Sequence, residues 1–279
     1  MDKAVVLDVF DFVGFHFCKY ILNKGYEVKG LSFDGNSDAE NMDEKSMEIG
    51  RNANFSTHSL LDWTEHFSEQ DPITQLFIIS IYDLYMLSKD SLSEKKEITD
   101  PIIQYFSRMG NRIKLVVFLP IQMYREINVW SPFFEQTKEL VSHVQMFYLP
   151  TVFGPWQPEV FLFQQMILGR FKQLEIIQSE REWTRDALFV TDAVKTIYDT
   201  IQFGKPGSYL LESGQDNYWE ECASYLKMDK STVKKHRDGW QGLDDSIQKV
   251  IVKNLTPLSD SITAQIELNE RMHNHFRLK

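Results

Sequence analysis

Two carboxylates stand where a strand gives way to a helix, a place where proteins bind anions. Residues 3–7 (Lys-Ala-Val-Val-Leu) read as a short buried strand, and an amphipathic helix follows from Phe12, with Cys18 on its apolar face. Between them lie Asp8 and Asp11, with Gly14 in the first turn of the helix. A second strand over 26–32 completes a strand–turn–helix–strand unit of the dinucleotide-binding type. Such a turn carries three glycines, for the sharp bend, for backbone approach to a pyrophosphate, and for helix–strand packing. Asp8, Asp11 and Gly14 occupy those positions, so only the packing glycine is kept.

The substitution has an electrostatic consequence. A helix N-terminus presents free N–H groups and partial positive charge, which suit an anion. One pair of like charges ~5 Å apart costs about 3 kcal/mol at an effective dielectric of 20. Two carboxylates at the turn therefore oppose a pyrophosphate, and the side chains of Val9 and Phe10 crowd the backbone that glycine would leave open. Asp11 is also well placed as an N-cap. A sharper reading puts Asp8 or Asp11 in the phosphate site itself. On both readings no cofactor is expected.

The arrangement resembles the extended short-chain dehydrogenase/reductase family, the NAD-dependent sugar-nucleotide epimerases and dehydratases. The family's first turn reads T-G-G-x-G-F-I-G-x-H; this chain has Phe12-Val13-Gly14 and His16 in register. Leu149-Pro-Thr-Val-Phe-Gly-Pro-Trp-Gln is similar to the family's R-x-x-N-V-Y-G-P-x-Q stretch. Arg185-Asp-Ala-Leu-Phe-Val-Thr-Asp resembles R-D-F-I-H-V-D-D, and Ser208-Tyr-Leu-Leu-Glu-Ser-Gly resembles Y-N-I-G-S-G. The segments occur in family order, and the resemblance covers roughly residues 3–225.

The resemblance implies a set of site positions. A Tyr-x-x-x-Lys pair on one helix face supplies the family's acid–base chemistry. Its counterpart here is Ser131-Pro-Phe-Phe-Glu-Gln-Thr-Lys138, with Phe134 in the tyrosine position and Lys138 retained. The family's serine or threonine falls on Pro120, which has no hydroxyl, and Tyr124 is the nearest surviving phenol. The acid that binds the adenosine ribose falls on Ser32, with Asp34 as a substitute, and the acid near adenine falls on Ser59. Trp156, Arg185 and Asp192 lie on the substrate side as ligand-pocket candidates, where an arginine fork suits a diphosphate. The implied protein is a catalytically inactive epimerase relative: a scaffold, regulator or ligand sensor. The alternative is an active NAD- or NADP-dependent epimerase, dehydratase or reductase with an atypical cofactor loop.

Strand and helix patterns alternate along the chain, as a parallel sheet requires. Strands are expected at 54–58, 75–80, 114–119 and 145–149. Helices are expected at 60–67, 100–109 (Pro101 in the first turn) and 132–144; 83–96 reads as irregular or helical, and 34–50 as a loop or frayed helix. The expected fold is α/β, a Rossmann-like doubly wound parallel sheet over 1–150, with a smaller lobe over 151–279 that returns some segments to the main sheet. Family members often dimerise through two helices, here 100–109 and 132–144, with Ile103, Phe106, Phe133 and Val141 as contact candidates. A homodimer is therefore expected.

The 279 residues, 43% hydrophobic, supply a sizeable core, and a net charge of −10 gives no support to nucleic-acid binding. Two cysteines build no disulfide framework. With no apolar run of membrane-spanning length and no signal-like N-terminus, a cytoplasmic protein that meets no membrane is expected. His273 and His275 have no companion ligand cluster, so no metal is expected, and the five basic residues over 227–237 read as a solvated face.

Overall fold

Along β1 (Lys3–Leu7) successive side chains alternate faces: Ala4 and Val6 join one hydrophobic layer, Val5 and Leu7 the other. That double burial is what a central parallel strand needs. The computed structural model describes residues 2–33, 41–65, 75–124, 129–228 and 246–277.

From β1 the chain runs through α1 (Phe12–Asn23), β2 (Glu27–Ser32), α2 (Met42–Ile49), β3 (Phe55–Ser59) and α3 (Leu60–Glu65). It continues through β4 (Gln75–Ser80), α4 (Ile81–Met86), α5 (Lys96–Met109), β5 (Ile113–Pro120), α6 (Ser131–Leu140) and β6 (His143–Leu149). The remainder holds β7 (Thr151–Phe153), α7 (Leu162–Leu168), β8 (Ala187–Phe189), α8 (Val190–Phe203), β9 (Gly207–Glu212), α9 (Tyr218–Tyr225), β10 (Ile247–Ile251) and α10 (Leu258–Arg277).

Among the described residues eight strands form one sheet in the order β10-β9-β6-β5-β4-β1-β2-β3, and every pairing is parallel. This is the doubly wound α/β fold. The C-terminal half supplies β9 and β10 to this sheet, while β7 and β8 form a separate parallel pair. One face of the sheet packs α1, α8 and α9 around Phe12, Phe15, Phe118, Phe147 and Trp219. The other packs α5 and α6 around Phe77, Phe106, Leu115 and Phe133.

Several elements depart from the sequence pattern. Of the segment 34–50, residues 34–40 lie outside the described residues, and the rest yields a helix, α2, held down by the buried side chains of Lys45 and Ile49. Helix α5 starts at Lys96, so Pro101 lies inside it rather than in its first turn. Its buried stripe, Ile98, Ile102, Tyr105, Phe106 and Met109, outweighs the one N–H that proline removes. Helix α6 stops at Leu140, three residues before β6. Phe106, Phe133 and Val141 are buried within the chain and Ile103 is half-buried, so α5 and α6 turn mainly polar residues outward.

No helix among the described residues is long and apolar enough to cross a membrane.

Candidate functional site

The strand order reverses direction between β1 and β4, and in open parallel sheets ligands bind outside the carboxyl ends at such a switch point. Two turns meet there. One is Asp8–Asp11, leaving β1; the other is Ser80–Asp83, leaving β4 and opening α4.

Asp8 adopts φ 51, the left-handed region that glycine ordinarily fills. Aspartate tolerates it better than most residues. The Asp11 N–H closes the turn on the Asp8 carbonyl at 3.0 Å, and the Phe15 N–H reaches the Asp11 carbonyl at 2.8 Å. The bend of a phosphate-binding turn is therefore kept without its glycine. Gly14, the glycine that remains, is not under steric pressure: a Cβ there would stand 3.5 Å from the Asp8 carbonyl oxygen. The crowded position is Gly30 on β2, where an added Cβ would come within 2.6 Å of Val9 Cγ1. Val9, in the turn, packs directly over Gly30 of β2.

At the start of α1 the anion is already present. Asp83 accepts the Val13 N–H at 3.0 and 3.2 Å through its two oxygens, the Gly14 N–H at 3.4 Å, and the Ser80 hydroxyl at 2.7 Å. Its residue is only 1% exposed. Burial, and next the charge of Asp11, push the Asp83 carboxyl up to about 7. Burial also raises Asp11, and raises Asp8 well above the usual carboxylate range with Asp11 adding to it. Oxygen Oδ2 of Asp11 is buried with no hydrogen-bond partner. The cations near this cluster are Lys45 and Lys89, both of which favour its charged form. Lys45 is itself buried; it donates to the Phe10 carbonyl at 2.7 Å and lies over the rings of Phe15 and Trp156. His16 is buried, shares a hydrogen bond with the Pro155 carbonyl at 2.7 Å, and is lowered by burial to about 4, so its ring is neutral at pH 7.

The expected acid–base positions sit beyond β5. Pro120 ends that strand, buried. Phe134 is buried in α6 at 8% exposure, edge-on to Phe133, whereas Lys138 is exposed. Tyr124 is half-buried and edge-on to Tyr148 with ring centroids 5.2 Å apart. Ser32 ends β2, half-buried, and Asp34 lies outside the described residues. The Ser59 hydroxyl accepts the Asp62 N–H at 3.1 Å, which caps α3.

The three ligand-pocket candidates are not brought to one place. Trp156, at φ 67, donates its Nε1–H to Glu48 at 3.0 Å. It lines a cavity of about 450 Å³ with Gln164, Lys172, Asn269 and His273. Asp192 accepts the Thr256 N–H at 2.7 Å and its hydroxyl at 2.8 Å, tying down the approach to α10, and borders a different cavity of about 310 Å³. Arg185 lies over the Trp183 ring, 5.6 Å from its centroid. His273 packs against Phe171, and most of the basic segment 227–237 lies outside the described residues. No group of three potential metal ligands occurs among the described residues.

Asp83 and Lys45 escaped the sequence reading. The available signal for Asp83 was a Ser-x-x-Asp run directly after a buried strand. For Lys45 there was none, because a lysine in a polar stretch reads as solvated.

Neither a family model nor a curated protein matches the sequence. Solved structures do. The dTDP-glucose 4,6-dehydratase of Bacillus anthracis str. Ames in complex with NAD matches at TM-score 0.64 and 14% identity, over 97% of each chain. The UDP-glucuronic acid 4-epimerase of Bacillus cereus in complex with UDP-glucuronic acid and NAD matches at TM-score 0.67 and 14% identity, over 97% of this chain and 99% of that one. The Bordetella bronchiseptica enzyme WbmH with NAD+ matches at TM-score 0.62 and 13% identity, over 98% and 99%. This chain has the fold of the NAD-dependent sugar-nucleotide epimerases and dehydratases.

That likeness corrects the expectation of no cofactor, since the matched epimerase-fold structures are NAD complexes. The physical reason lies in the turn. Counting glycines tested residue types, whereas Asp8 preserves the backbone shape they would give. The fit to a dinucleotide is partial: the bend is right, but the N–H groups of Val13 and Gly14 already serve the Asp83 carboxylate.

Proposed function

We propose that this chain is an epimerase-fold ligand sensor or regulatory subunit in which the switch point takes a nucleotide, NAD or a nucleotide sugar, as a signal and not as a reactant. The observation that carries this is Phe134. At the position where the family has a phenol, the ring is buried, has no titratable proton, and its helix partner Lys138 points to solvent. Pro120 adds to it, having no hydroxyl to bond a reacting oxygen.

What the residues do is bind and exclude. Asp8 shapes the turn, Asp83 occupies the helix N-terminus, and Val9 and Lys45 fill the flanks. A bound dinucleotide would bring hydride chemistry, while the family-equivalent positions Phe134 and Pro120 carry no group that could exchange a proton.

The test pairs binding with turnover. Calorimetry with NAD(H), NADP(H) and nucleotide sugars should give a saturable isotherm for at least one, and chromatography of the same mixtures after prolonged incubation should give no epimerised, dehydrated or reduced product. Turnover by the unmodified protein overturns the proposal.

A further inference from the structure

The seat and its occupant can be read separately. The seat is the first turn of α1, a helix of 12 residues whose N-terminal N–H groups face the switch point. Its occupant comes from 70 positions further along the chain, on α4, and meets the seat as a phosphate would. A planar anionic group accepts two backbone N–H donors and one hydroxyl, with both of its oxygens engaged.

The surroundings exclude a second anion while Asp83 is in place. Asp8 and Asp11 stand beside it, both buried, and the free oxygen of Asp11 has no donor to share. A diphosphate entering the same turn would meet three acidic groups in a volume already filled.

The backbone under Asp83 is pinned. The Tyr82 hydroxyl accepts the Val152 N–H at 2.8 Å and the ring stacks on Phe161. Arg181 donates to the Tyr85 carbonyl at 2.6 Å and lies over its ring. With α4 held by these contacts, displacing the carboxylate means turning the Asp83 side chain, which is 1% exposed, against its packed neighbours.

We propose that Asp83 is an internal phosphate surrogate, which holds the anion seat of the switch point until a diphosphate-bearing ligand displaces it. The inference rests on the reading of the switch point as a nucleotide site and adds how entry to it is controlled. Affinity for a diphosphate is then set by competition with a tethered carboxylate, and any change elsewhere that turns Asp83 out raises that affinity.

The experiment compares the wild-type chain with Asp83→Ala and Asp83→Asn. The probes are pyrophosphate, NAD+ and adenosine, the last carrying no phosphate; the readouts are calorimetric affinity and thermal shift. At pH 8.5, where Asp83 is ionised, Asp83→Ala should bind pyrophosphate and NAD+ at least about tenfold more tightly than wild type, as removal of one close like charge implies. Asp83→Asn, neutral but still an acceptor, should fall between them, and adenosine affinity should change less than about twofold. Should Asp83→Ala fail to fold, Asp83→Asn against wild type carries the same comparison, with a gain of at least about threefold expected. Equal affinity of all three chains for NAD+ and pyrophosphate overturns the surrogate while leaving the nucleotide site standing. Absence of binding of every probe to every chain overturns the site, and the surrogate with it.

Discussion

Replacing Asp83 by asparagine removes a charge while keeping one oxygen for the Val13 and Gly14 N–H groups, and its effect on stability should depend on pH. Burial, followed by the charge of Asp11, raises this carboxyl from 3.8 to about 7, while the donors from Ser80, Gly14 and Val13 pull the other way. The folded chain therefore holds the proton more tightly than the unfolded chain. The stability linked to that proton is fully present below about pH 4 and is lost as pH rises through about 7. A rise of this size corresponds to on the order of 4 kcal/mol. For 279 residues that is roughly 7 °C in Tm. Other buried groups also shift: Asp8 and Asp11 are raised by burial and face Asp83, and Asp186 is raised by burial elsewhere. His16, lowered to about 4, contributes stability above pH 6.5 that is lost as pH falls toward 4, opposite in sign to Asp83. Glu182, raised by burial to about 8, has the same sign as Asp83. Subtracting wild type from Asp83→Asn at each pH cancels His16 and Glu182, whereas the relief of Asp8 and Asp11 is part of the difference and has the same sign. Urea unfolding from pH 4 to pH 8.5 should show the variant near wild type at the acid end and more stable by about 4 kcal/mol at the alkaline end. A flat difference, or one that turns against the variant as pH rises, would refute the premise that desolvation outweighs the donors at the helix start.

Three further outcomes are expected. Phe134→Tyr alone should yield no epimerase or dehydratase product, because Lys138 lies in solvent and Pro120 offers no hydroxyl; product detected by chromatography would count against the inactive reading. Gly30→Ala should cost about 1–3 kcal/mol through the 2.6 Å approach to Val9 Cγ1, and should cost less in a Val9→Ala background than in wild type, with part remaining because Phe55 stands 3.1 Å away; equal costs in the two backgrounds would place the strain elsewhere. Asp192→Ala should cost roughly 2 kcal/mol by leaving the Thr256 N–H and hydroxyl without their acceptor, and should speed proteolysis between β10 and α10; an unchanged urea midpoint and cleavage rate would show that the tie carries no load.

The fold was legible because its signals are local. Buried apolar runs such as Ala4–Leu7 and Leu76–Ile79 can serve only strands covered on both faces, and the helices between them carry their own apolar stripe. Legibility failed where packing outvoted local propensity. Helix α5 carries Pro101 in its interior because five buried side chains compensate for one missing N–H. Helix α2 forms in an acidic stretch because Lys45 finds the Phe10 carbonyl.

The site divides the same way. The sequence alone supplied the residue types: Asp8 and Asp11 in the turn, and Phe134 and Pro120, which the family resemblance aligns with a phenol and a hydroxyl. It offered Asp8 or Asp11 for the phosphate site, whereas the carboxylate on the Val13 and Gly14 N–H groups is Asp83. Which carboxylate could only be decided in three dimensions. Asp83 reaches Val13 across 70 residues because β1 and β4 are neighbours in the sheet, though far apart in the chain. The shape of the turn was likewise a tertiary outcome. A left-handed Asp8 is tolerated when the surrounding fold holds it there, so a missing glycine removes a preference and not the conformation.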